Sequence, residues 1–181
     1  MLMRTIEREE VEEVVLQMEK GKAPGPDGFT IDFFQSCWDL VKEKIWEVVE
    51  ESKSTRWVLT TFNATFLSLI PKEHGADSPS KFRPISLCNV VLKIIKKVMD
   101  NRLNPLMPGL ISPEQSGFVE GRQILDGIIL TQEMINLLKQ TKSPAMLIKV
   151  DLAKVYDKVS WCFLKAMLKA FGFQHDWVRW I

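Results

Sequence analysis

Asp151 closes the apolar run Met146-Leu-Ile-Lys-Val150 and opens the block Leu152-Ala-Lys-Val-Tyr156-Asp157. The run reads as a short buried strand with a carboxylate at its tip. A helix pattern begins behind it, with Val155, Val159, Phe163, Met167 and Leu168 at helical spacing. A carboxylate held between a strand and a helix can bind a hard divalent cation, because Mg²⁺ prefers oxygen ligands and takes one or two carboxylates together with substrate phosphates. The same placement suits a helix N-cap, and for Asp151 alone the cap is the simpler reading.

A second group is cationic. Residues 64–70 form a strand candidate closed by Pro71-Lys72, and Lys81-Phe-Arg83-Pro-Ile-Ser-Leu87 reads as a short strand returning after a polar connector. A hairpin puts Lys72 and Arg83 near its two stems, where two fixed cations can hold a triphosphate, Arg with a bidentate fork. Taken alone, surface charge is the simpler account of both. Residues 72–102 also carry Lys81, Lys93, Lys96, Lys97 and Arg102 against few acids. Such a stretch suits a phosphate backbone and equally a solvated helix face.

The elements that must position these groups follow from periodicity. Residues 6–20 form an amphipathic helix with Val11, Val14, Val15 and Met18 on one side. Lys20-Gly-Lys-Ala-Pro-Gly-Pro-Asp-Gly28 forces a tight loop. It lacks the spacing of a phosphate-binding Walker loop and reads as a structural turn. Thr30 caps a helix over 31–53, with Phe34, Trp38, Val41, Ile45, Val48 and Val49 as its apolar face. A further helix covers 86–103. Residues 104–113, with three prolines and Gly109, read as a loop. Gln115-Ser-Gly-Phe118 and Gly121-Arg122 form a turn-rich patch. A helix over 123–140 turns Ile124, Ile128, Ile135 and Leu138 inward, and residues 141–144 lead into the run that ends at Asp151.

With 181 residues, 46% hydrophobic and 26% charged, the chain is one domain or a large piece of one and can build a core. A net charge of +1 does not announce nucleic-acid binding by itself. Cys37, Cys88 and Cys162 have no CxxC spacing, and each falls in a helical pattern, which favours core packing in a reducing compartment over a disulfide or zinc. His74 and His175 lie near no cysteine. No apolar run reaches membrane-spanning length, and no signal peptide is read. The aromatic, apolar ending Trp177-Val-Arg-Trp-Ile181 reads as a cut through a fold.

Five blocks together carry a resemblance. Lys22-Ala-Pro-Gly-Pro-Asp-Gly28, Leu69-Ile-Pro-Lys72, Phe82-Arg-Pro-Ile-Ser-Leu87, Gln115-Ser-Gly-Phe118 with Gly121-Arg122, and Val150-Asp-Leu-Ala-Lys-Val-Tyr-Asp157 stand in one order over almost the whole chain. In that order the chain resembles the N-terminal part of the reverse transcriptase domain of non-LTR (LINE-type) retrotransposons, particularly those of plants. The resemblance implies that Asp151 is the first metal-binding aspartate of a polymerase palm, with the Leu152 backbone carbonyl at the same cation. It implies that Tyr156 lies under the incoming sugar and that Lys72 and Arg83 hold the nucleotide phosphates. Gln115, Gly117 and Arg122 fall in a region near the template and the nucleotide pocket. The cofactor implied is Mg²⁺ or Mn²⁺, the partners are an RNA template, a DNA primer and a dNTP, and the setting is intracellular, in nucleus or cytoplasm. No membrane and no disulfide partner is implied.

The expected fold class is α+β: mostly helical fingers over about 1–144, with a short β-hairpin, plus the first strand and helix of a polymerase palm over about 145–181, an incomplete antiparallel sheet. The Ala-Asp-Asp hairpin of the family does not appear after Asp151, where the remaining acids are Asp157 and Asp176. The expectation is a reverse transcriptase fragment that is inactive alone. Val155 stands where the family commonly has Ala, beside the sugar-sensing Tyr156. Two other readings remain at this point: a non-catalytic nucleic-acid-binding module using 72–102, and a maturase-like intron-type reverse transcriptase fragment.

Overall fold

The computed structural model describes residues 2–148, 150 and 158–181. The chain divides into two compact units, residues 1–102 with 179–181, and residues 103–178.

The first unit opens with three helices, α1 (Arg8–Gln17), α2 (Ile31–Ser36) and α3 (Trp38–Thr55). The valine stripe of α1 is buried as its spacing requires. Thr30 caps α2, its hydroxyl accepting the Phe33 amide at 3.4 Å. The helix expected over 31–53 is broken at Cys37, whose φ of −105° and ψ of 20° are not helical. Around the break, the Gln35 amide donates to the Val15 and Met18 carbonyls at 2.7 and 3.0 Å, and the Trp38 indole donates to Glu12 at 2.8 Å. The Gln35 bonds serve carbonyls at the end of α1.

β1 (Thr65–Pro71) pairs antiparallel with β2 (Phe82–Cys88), from Thr65 opposite Cys88 to Pro71 opposite Phe82. A 3₁₀ turn over Pro79–Lys81 precedes β2. α4 (Val90–Leu103) follows. The helix expected from residue 86 therefore starts later, since Ser86 to Cys88 complete the ladder, and Cys88 lies in a strand rather than a helix. Val90, Val91, Ile94, Ile95 and Val98 of α4 are buried together with Val11, Val14, Phe34, Ile45 and Val49.

The second unit holds α5 (Met107–Leu110), α6 (Ile124–Thr141), α7 (Trp161–Ala170) and most of α8 (His175–Trp180). The loop expected over 104–113 contains a 3₁₀ turn at Asn104–Leu106 and then α5. Pro105 and Pro108 sit in the first turn of each, where a missing amide costs nothing. α6 forms where expected, but Ile124 and Ile128 face solvent, Ile124 at 69% exposure. Only Ile135 and Leu138 of its apolar face are half-buried. The buried strand expected at Met146–Val150 does not form among the described residues: 146–148 and 150 have no ladder partner and are exposed, Met146 at 84%. An apolar run without a second strand has nothing to pair with. Among the described residues no helix is long and apolar enough to cross a membrane.

Candidate functional site

Alternation along a strand places every second side chain on one face. In this register Phe66, Ser68, Ile70 and, just past the strand end, Lys72 share a face with Lys81, Arg83, Ile85 and Leu87. Arg83 stands directly opposite Ile70, so Lys72 is its diagonal neighbour, a relationship of about 7–8 Å between strands. The pairing extends one step past β1, where the Lys72 amide donates to the Lys81 carbonyl at 2.8 Å. The hairpin thus brings Lys72 and Arg83 together, as the sequence suggested.

The three cations on this face differ in what holds them. Lys81 pairs with Glu73 at 3.1 Å and Asp77 at 3.0 Å. The hydrogen bonds it donates to Asp77 and then Glu73 raise its pKa above the usual lysine value. The Lys72 ammonium donates to the Ser80 carbonyl at 2.7 Å, which orients it without cancelling its charge. Arg83 is exposed, and among the described residues no hydrogen bond or carboxylate engages it. Among the described residues no carboxylate compensates Arg83 or Lys72, on one face of a hairpin that is exposed along most of its length.

The rest of the basic segment behaves differently from its appearance in sequence. Lys97 pairs with Asp100 at 2.7 Å. Arg102 is buried, its guanidinium bonded to both Glu10 oxygens at 2.7 Å and to the carbonyls of Leu2, Arg4 and Thr5 at 2.8 to 3.0 Å. Glu10 lies below its ordinary pKa: burial pushes it up, but the Arg102 bonds and charge, with Arg4, outweigh burial. Arg102 is part of the core and unavailable to phosphate.

The base of the hairpin rests on Asn89, a residue sequence reasoning missed. Asn89 is 2% exposed. Its side-chain oxygen accepts the Asp27 amide at 3.2 Å, and its side-chain nitrogen donates to the Thr61 carbonyl at 2.9 Å. Gly25 lies against the same residue: a Cβ there falls 2.3 Å from the Asn89 side-chain oxygen and 2.6 Å from the Cys88 carbonyl carbon. The turn over 22–28, which has no ligand-binding spacing, is thus packed on the β2–α4 junction. A polar Asn between a strand and the run Val90-Val91 was the available signal.

In the second unit, Gln115, Gly117 and Arg122 come together in one loop. The Arg122 guanidinium donates to the carbonyls of Pro108, Ile111, Ser112 and Gln115, and the Gln115 amide donates to the Gly117 carbonyl at 3.2 Å. Arg122 braces this turn. At its tip Phe118 adopts a left-handed φ of 62° and is 91% exposed. Asp151, Leu152, Val155, Tyr156 and Asp157 lie outside the described residues. Among the described residues no three His, Cys, Asp or Glu side chains gather as a metal site.

Residues 70–181 match the family described as reverse transcriptase (RNA-dependent DNA polymerase). The chain is 29% identical over 173 residues to the transposon TX1 uncharacterized 149 kDa protein of Xenopus laevis, covering 96% of this chain and 13% of that protein. It is 27% identical over 158 residues to a retrovirus-related Pol polyprotein from type-1 retrotransposable element R2 of Nasonia vitripennis, covering 87% of this chain and 15% of that protein. With the corresponding R2 protein of Popillia japonica it shares 24% identity over 170 residues, 93% of this chain and 23% of that protein. The chain therefore spans less than a quarter of each of these relatives.

Proposed function

The chain belongs to the reverse transcriptase family, and on that premise we propose that it forms the fingers and the start of the palm of an RNA-directed DNA polymerase of a LINE-type retrotransposon. The observation that carries this reading is the hairpin register. It gathers Lys72 and Arg83 on one exposed face, with no carboxylate against either among the described residues, within the stretch that matches the family.

In this reading Arg83 grips the triphosphate of an incoming dNTP with its planar fork, and Lys72 adds a point charge beside it. Holding the phosphates in line and balancing their charge supplies much of the rate in phosphoryl transfer. Tyr156 senses the sugar. Asp151 and the Leu152 carbonyl would hold Mg²⁺ or Mn²⁺, since hard oxygen donors suit such a cation. The cation, when bound, neutralises charge developing on the phosphates. The Gln115–Arg122 turn belongs to the template or nucleotide pocket, and Arg122 acts there through the loop it braces. The partners are an RNA template, a DNA primer and a dNTP, in an intracellular setting.

One aspartate does not replace a set of three, so the chain by itself does not extend a primer. A primer-extension assay with Mg²⁺ or Mn²⁺ tests this: template-directed synthesis abolished by Asp151→Ala overturns the inactivity. Titration with Mg-dATP tests the nucleotide reading, which predicts that Arg83→Ala weakens binding about tenfold through loss of a charge-assisted fork. Unchanged affinity removes Arg83 from the site. A binding module built on the whole basic segment is less well supported, because Lys81, Lys97 and Arg102 are already neutralised.

A further inference from the structure

We propose that Asn89 is a positioning residue that sets the direction of the β1–β2 hairpin and so aims Arg83 and Lys72. This rests on the nucleotide-binding reading of the hairpin.

The hairpin is an arm. Leu67, Leu69 and Pro84 on one face and Phe66, Ile70 and Ile85 on the other are all exposed, so neither face is clamped along its length. Its direction must come from its base. There three pieces of chain meet at one buried side chain. Thr61, just before β1, is tied by the Asn89 amide nitrogen; Asp27, in the turn over 22–28, is tied to the Asn89 oxygen; and Asn89 itself follows the last residue of β2. Gly25 fills the remaining space against the Cys88–Asn89 peptide so closely that no side chain fits. One amide thus fixes both strands of the arm to the same buttress, using its donor and its acceptor at once.

The lever makes this base consequential. Arg83 lies five positions from Cys88 along β2, about 17 Å at about 3.4 Å per residue. A tilt of about 10° at the base moves Arg83 by about 3 Å over that length, and a misplacement of about 1 Å already costs up to about a hundredfold in an aligned reaction. An arm free at its base loses its grip on a polyphosphate even when both strands remain paired.

The test uses the chain in solution, isotope-labelled for NMR, with inorganic tripolyphosphate as the probe. In the parent, residual dipolar couplings of β1 and β2 amides fit one alignment tensor with those of α3 and α4. In Asn89→Ala the hairpin couplings shrink while the cross-strand contacts and helical circular dichroism persist, and tripolyphosphate binds about tenfold more weakly, the loss a displaced charge-assisted contact entails. Asn89→Asp, which keeps the acceptor for Asp27 and sets a carboxylate against the Thr61 carbonyl, gives the same change in smaller measure and serves where the alanine variant does not fold. Couplings unchanged in either variant overturn the proposal, as do reduced couplings with unaltered binding. Loss of binding in Arg83→Ala with the couplings intact separates the two ideas, since it upholds the nucleotide site without reference to the junction. Binding unaffected by Arg83→Ala strikes the nucleotide reading itself and leaves the coupling measurement to judge the junction.

Discussion

Arg102, in the last turn of α4, holds Glu10, in the first turn of α1, through two hydrogen bonds of 2.7 Å. Each charge also sits at the helix end that favours it. The same guanidinium takes the carbonyls of Leu2, Arg4 and Thr5, so one buried cation fastens the segment before α1 to the helical core. Removing it leaves a half-buried carboxylate and the Leu2 and Thr5 carbonyls without this donor, while Lys53 still holds the Arg4 carbonyl at 2.9 Å. Arg102→Leu is expected to lower stability by about 3–5 kcal/mol, the usual cost of breaking a buried pair from one side. Urea denaturation should show a lower midpoint; a variant within about 1 kcal/mol of the parent makes the pair a surface contact in energetic terms.

The same pair predicts a pH dependence with a definite sign. Arg102 keeps the Glu10 carboxyl below its ordinary value of 4.5. A depressed acid contributes stability that is complete above its unfolded pKa and is lost as pH falls through its folded one. Stability should therefore decline from about pH 5 downward, and Glu10→Gln should flatten that decline while lowering stability at neutral pH. Parallel slopes for parent and variant over this range remove Glu10 as the cause.

Gly25 and Gly109 make a matched test of where a side chain fits. At Gly25 a Cβ lies 2.4 Å from the Asn89 backbone nitrogen, so backbone must move; at Gly109 nothing lies within 4 Å. Gly25→Ala is expected to cost about 3 kcal/mol or more, the upper range of overpacking. Gly109→Ala, without a positive φ to strain it, should be neutral or stabilising by a few tenths of a kcal/mol. Thermal melts that rank the two variants the other way reject this packing.

These residues show what could be read from the chain alone. The valines of α1, the Thr30 cap and the two hairpin strands follow local rules of spacing and punctuation, and each appears where those rules put it. The break at Cys37 had no such mark, since no Gly or Pro interrupts 31–53; it coincides with bonds to residues far along the chain. Arg102 looked like surface charge because its partner Glu10 is 92 residues away. Asn89 draws on Asp27 and Thr61, 62 and 28 residues distant, which no window of sequence reveals. The apolar faces of α6 and of 146–150 failed in another way: a pattern states which side seeks cover, not that the cover is there. Asp151 and Tyr156, on which the catalytic reading turns, stand outside the described residues, so resemblance alone assigns their roles.

Charge on the hairpin face is graded by partner, and binding should follow the grade. Lys81 spends its charge on Glu73 and Asp77, whereas Arg83 meets no carboxylate among the described residues. Lys81→Ala should therefore change Mg-dATP affinity less than about twofold, against about tenfold for Arg83→Ala, with Arg83→Lys in between because it keeps the charge and loses the fork. Equal losses for Lys81→Ala and Arg83→Ala would mean that net charge, not placement, governs binding.

Arg122 offers the last and most local test. Its guanidinium gathers four carbonyls between Pro108 and Gln115, and the turn it closes carries Phe118 outward at a φ of 62°. A side chain other than glycine holds that conformation only when its surroundings impose it. Lysine has charge but no planar fork and cannot serve four acceptors at once. Arg122→Lys should therefore release the turn, and chymotrypsin, which cuts after exposed aromatic residues in mobile backbone, should cleave after Phe118 at least about tenfold faster, in step with the higher population of the open loop. Cleavage elsewhere in the chain should be unchanged. Should Arg122→Lys and the parent be cut after Phe118 at one rate, the guanidinium is a bystander and the loop keeps its shape by other means.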